Sequence, residues 1–64
     1  MKKILDINDN GIHLVCKKDN NPYTPYRLYT RYYSDKWHEI LVDKYTDIHS
    51  VLFRINDIMR MKTQ

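Results

Sequence analysis

At 64 residues the chain has room for one domain, 1–64, and a chain this short buries only about 60% of the surface that its unfolded form exposes. A single cysteine, Cys16, excludes an internal disulfide, and eleven Lys plus Arg against eight Asp plus Glu give a net charge of +3 and a pI near 9.1, which permits contact with phosphate without demanding it. The apolar run after Met1-Lys2-Lys3 is cut by Asp6, Asn8, Asp9 and Asn10, so neither a secretory segment nor a membrane span is read there, and the expectation is a cytoplasmic protein with a reduced thiol.

The first element is a hairpin. Asn10-Gly11 supplies two residues that tolerate positive φ in a type I′ turn, with alternating apolar residues on both sides. With that turn, Leu5, Ile7, Ile12, Leu14 and Cys16 gather on one side, and Asp6, Asn8, His13 and Lys17 on the other. From Lys18 to Pro25 the composition turns to Asp, Asn, Pro and Thr, which reads as a connecting loop because proline cannot donate to a sheet ladder.

A second hairpin follows, from Tyr26 to Tyr33, through Ser34-Asp35-Lys36, into Trp37 to Lys44. An odd-numbered loop places Tyr26, Leu28, Tyr32, Ile40 and Val42 on the buried face and leaves Arg27, Tyr29, Arg31, Tyr33, Trp37, Glu39, Leu41 and Asp43 outside. An even-numbered loop would set Arg or Glu against apolar partners, so the odd one is expected.

The last segment is helical by period. Ile48, Val51, Leu52, Ile55, Ile58 and Met59 follow i, i+3, i+4, i+7 spacing, Thr46 or Asp47 can cap the start, and Arg60 and Lys62 suit the negative end of the helix dipole. Phe53 falls nearly opposite Ile55 on the wheel, an exposed ring that invites a partner, although single surface apolar residues are common. The expected fold is α+β: a four-stranded antiparallel sheet of two hairpins, with the C-terminal helix packed on one face.

Only one surface has a chemical character beyond solubility. Arg27, Tyr29, Arg31, Tyr33 and Trp37 share the face away from the helix, where rings can stack on bases at about 1–3 kcal/mol each and guanidinium groups can pair with phosphate. The competing reading is that Tyr and Trp favour strands and shield that face, with Arg stacked on rings to fill gaps. The same composition marks protein interfaces, so a dimer seam through this face or through Phe53 is a further reading.

No catalytic or metal site is expected, and no cofactor. His13 and Cys16 sit three apart on a strand and point to opposite faces, so no paired ligand spacing exists. Asp43, Asp47, His49 and Ser50 cluster near the helix start, where capping asks for such residues. There is no Gly-rich phosphate loop, and too little chain to enclose a substrate pocket, so the protein is not read as an enzyme.

In its order of four strands followed by one helix, and in its length, the chain resembles the transcriptional positive-coactivator-four type of fold. The resemblance carries no residue motif; it implies a homodimer and single-stranded DNA bound on a curved sheet. Its lack of alanine and its heavy use of Lys, Asn, Ile, Tyr and Asp fit an AT-rich genome such as that of a low-GC bacterium or its phages. In size and composition it is also similar to small phage inhibitors of host defence, among them anti-CRISPR proteins. The expectation is therefore a homodimeric module binding single-stranded DNA or RNA, or alternatively a phage or mobile-element protein that inhibits a host defence or regulatory machine.

Overall fold

The computed structural model describes residues 1–63, and the side chains of residues 1–61. Strands β1 (Lys2–Asp9), β2 (Ile12–Lys18), β3 (Tyr26–Ser34) and β4 (Lys36–Tyr45) form one antiparallel sheet in sequence order, and helix α1 (Ile48–Thr63) closes the chain. The α+β architecture is the one that the periodicities predict. The Lys62 side chain, expected to favour the helix dipole, lies outside the described residues.

The first turn follows from its two residues: Asn10 and Gly11 adopt φ of 52° and 77°, and Asp9 pairs with Ile12 across them. At the second turn Asp35 takes φ of 64° between Ser34 and Lys36, so Tyr33 meets Trp37 across an odd-numbered loop. Asp47 caps the helix, its Oδ1 accepting from the Ser50 backbone N–H at 2.9 Å. That bond, chiefly, holds the Asp47 carboxyl below its usual range.

The core joins Leu14, Cys16 and Leu28 of the sheet to Val51 and Ile55 of the helix, with Ile4, Leu5, Ile7, Ile12, Tyr26, Val42 and Tyr45 packed around it. Burial pushes the Cys16 thiol up, which leaves it a small hydrophobe.

Four expected placements are corrected. Tyr32 and Ile40 lie on the helix side of the sheet as their parity requires, yet they are 44% and 54% exposed. The helix cover reaches the β1–β2 side and the Tyr26–Tyr45 end of the sheet, and stops short of the β3–β4 turn. Asp43 is exposed as expected but stands opposite Leu28 on the other side of the sheet, because Val42 is the extra residue of a bulge that shifts the later residues by one place. Leu52 belongs to the apolar period but remains about half exposed on the flank of the helix.

Candidate nucleic-acid interface

The face away from the helix is built by alternation. Tyr29 pairs with Val15 and Leu41, Arg31 with Glu39, and Tyr33 with Trp37, so Arg27, Tyr29, Arg31, Tyr33 and Trp37 all project to one side. This is the face that the odd-numbered loop predicts. Beneath it lies a residue that the sequence reading did not single out: Val15, wholly buried although no helix covers it. In register it sits between Asp6 and Tyr29 and between His13 and Lys17, whose stems and rings roof it.

Two regions can be told apart within the face. In the middle, charges are satisfied within the chain. Lys17 reaches over the Tyr29 ring, 5.1 Å from its centroid, to Glu39 Oε1 at 2.7 Å, thereby bridging β2 to β4 across β3. Arg27 Nε lies 2.9 Å from Asp19 Oδ2, an ion pair in distance whose direction falls outside that of a hydrogen bond. His13 Nε2 donates to Asp6 Oδ1 at 2.6 Å and Lys3 to Asp6 Oδ2 at 3.1 Å; the first of these, then the second, lowers the Asp6 pKa. The Tyr29 hydroxyl points to Met1 Sδ at 3.8 Å.

Asp19 is the partner that composition could not reveal. Its Oδ1 accepts from the Asn21 N–H at 2.9 Å, its own N–H donates to Pro25 O at 2.8 Å, and the Asn21 side chain in turn caps Tyr23 and Thr24. The loop from Lys18 to Pro25 is thus folded by its own side chains and placed beside Arg27. The signal was present as Asp and Asn at turn spacing; the tie to Arg27 needed three dimensions.

Toward the β3–β4 turn the pattern changes. The Arg31 guanidinium lies over the Trp37 ring at 4.6 Å, Tyr33 meets that ring edge-on at 5.4 Å, and His13 does so at 6.0 Å. Tyr33 and Trp37 are 64% and 53% exposed, and Arg31 Nε is buried without an acceptor among the described residues. On the other side of the same turn Tyr32 stacks on His38 at 5.0 Å, and His38 Nε2 donates to Ser34 O at 3.1 Å.

Phe53, placed on the helix far from the sheet, is 74% exposed and lines a shallow cleft of about 260 Å³ with His49 and Leu52. Among the described residues no three His, Cys, Asp or Glu converge as a metal site, and no helix is long and apolar enough to cross a membrane.

Fold and site together define a small sheet-and-helix module whose uncovered sheet face carries a cationic, aromatic corner. No family model, curated protein or solved structure matches the chain.

Proposed function

We propose that the chain binds single-stranded DNA or RNA through the Arg31, Tyr33 and Trp37 corner of its open face, with Arg27 and Tyr29 continuing the surface. The supporting observation is the pair of half-exposed rings, Tyr33 and Trp37, beside a guanidinium that is stacked on Trp37 and forms no ion pair with a carboxylate among the described residues. A base laid on the free ring surface gains stacking, and a phosphate oxygen accepts from Arg31. Lys17 and Arg27 already hold Glu39 and Asp19, so a phosphate there must displace a carboxylate. Affinity therefore comes mainly from the corner, and the salt dependence is shallow, with a slope of about −0.7 per phosphate engaged.

Trp37 is the only tryptophan and reports the site directly. Titration with an unstructured oligonucleotide at low salt should quench its emission, Arg31→Ala should weaken binding about tenfold or more, and Arg27→Ala should matter less. Unchanged emission and anisotropy with every single-stranded DNA and RNA tried would sink the reading.

The internal pairing of Lys17 and Arg27 favours a second reading, since a protein partner needs rings more than free charge. In it the chain is a phage or mobile-element inhibitor of a host defence or regulatory machine, cytoplasmic and homodimeric, with Tyr33, Trp37 and Phe53 as anchors. A pull-down that yields one stoichiometric host protein after nuclease treatment supports this second reading; recovery of nucleic acid alone supports the first.

A further inference from the structure

The sheet ends in two unlike edges. On β1 four of eight residues are charged, Lys2, Lys3, Asp6 and Asp9, and the register shift between Lys3 and Leu5 bends the strand. Laid antiparallel against a second β1 over its full length, with the extra residue between Lys3 and Leu5 counted as one place, it would set Asp6 against Asp6, so like charges disfavour that pairing at its centre. The other edge, β4, is the longest strand at ten residues, and Ile40, Leu41 and Val42 run uncharged through its middle, with Ile40 and Leu41 exposed.

Because the Val42 bulge makes Val42 and Asp43 share one place in the ladder, β4 offers nine positions, and Ile40 is the fifth. We infer that β4 pairs antiparallel with β4 of a second copy about a two-fold axis through Ile40, joining the two sheets into one of eight strands.

The complementarity along this register identifies the occupant. Ile40 meets Ile40, and Glu39 meets Leu41. His38 meets the Val42–Asp43 position, where the carboxylate of one copy faces the imidazole of the other. Trp37 meets Lys44, and Lys36 meets Tyr45, so each terminal ammonium faces a ring and like charges never stand directly opposite. A two-fold axis normal to the sheet keeps both helices on one side and both Arg31 corners on the other. The two Trp37 residues then stand six ladder positions apart, about 20 Å along the strands. The pairing uses only the outer edge of β4 and does not rest on the nucleic-acid reading.

The test is light scattering of the full chain at high micromolar concentration, with two pairs of substitutions. Wild type should give twice the 7.9 kDa chain mass, and Ile40→Lys, which places two ammonium groups on the axis at an already exposed position, should give the single mass with an unchanged circular dichroism spectrum. Under mild oxidation Ile40→Cys should form a disulfide-linked dimer, since residues directly opposite have Cβ atoms about 4.5–5.5 Å apart, while Phe53→Cys should not; native Cys16 is buried and stays out of the reaction. A wild-type chain of single mass, or a dimer that survives Ile40→Lys and is linked through Phe53→Cys, would overturn the pairing.

Discussion

Leu28 and Ile40 lie on neighbouring strands, on the same side of the sheet, and have the same aliphatic character, yet one is fully buried and the other is half in water. What separates them is the reach of one helix. Helix α1 starts beside Tyr45, at the end of the sheet farthest from the β3–β4 turn, and its apolar stripe meets Leu28, Leu14 and Cys16 before that turn is covered. Parity chooses the side of a residue; the path of the covering element chooses its burial. The bare end carries Tyr32, Ile40, Tyr33 and Trp37, and for that reason it is the end with contacts to offer.

The sharpest way to break this comparison is to truncate both residues. Leu28→Ala should cost about 2–5 kcal/mol, a large part of the roughly 3–10 kcal/mol that a chain of this size can hold, and leave the chain mostly unfolded on urea titration. Ile40→Ala should change monomer stability by less than about 1 kcal/mol, provided that the protein is dilute enough to hold any association apart. Equal losses at both positions would mean that the helix covers more of the sheet than its contacts indicate.

Val15 sharpens the comparison from the other face. It is as deeply buried as Leu28, but under side chains rather than under an element. Val15→Ala should cost about 1–3 kcal/mol by transfer and cavity together. Part of the effect should also appear in Lys17→Ala, which removes a piece of the roof along with the Glu39 pair, as a loss nearer 1 kcal/mol. A Val15→Ala chain with an unchanged denaturation midpoint would show that the open face has no packing of its own.

The smallest effect belongs to two exposed carboxylates, Asp6 on β1 and Asp47 at the start of the helix. Asp6 and Asp47 have lowered pKa values in the folded chain, so the stability they contribute is complete above the ordinary carboxylate pKa of 3.8 and is lost as pH falls through the lowered folded values. Thermal melts should therefore show a decline confined to acid pH. Asp47→Asn keeps a capping acceptor and should flatten that decline while changing the Tm near neutral pH little.

Much of the architecture could be read in the chain because it depends on local chemistry. Asn10-Gly11 determines a turn, the turn determines the register of the first hairpin, and a stripe from Ile48 to Met59 has no stable home except on an apolar sheet face. The common face of Arg27, Tyr29, Arg31, Tyr33 and Trp37 was legible for the same reason: alternation along a strand is a property of the backbone. Less was legible where one residue adds to or subtracts from that alternation. The Val42 bulge, which sets Asp43 opposite Leu28 while Val42 packs on the core, is announced by no residue type.

The sequence by itself determined which residues alternate, where the chain turns and which stripe of the helix seeks cover, since each depends on neighbours a few bonds away. Tertiary structure alone decided the rest: that Asp19 and Glu39 would take Arg27 and Lys17, that Arg31 would lie on Trp37, and that the helix would leave the β3–β4 turn bare. Those outcomes depend on distances between segments far apart in the chain, which are set only when the sheet closes and the helix picks its line across it.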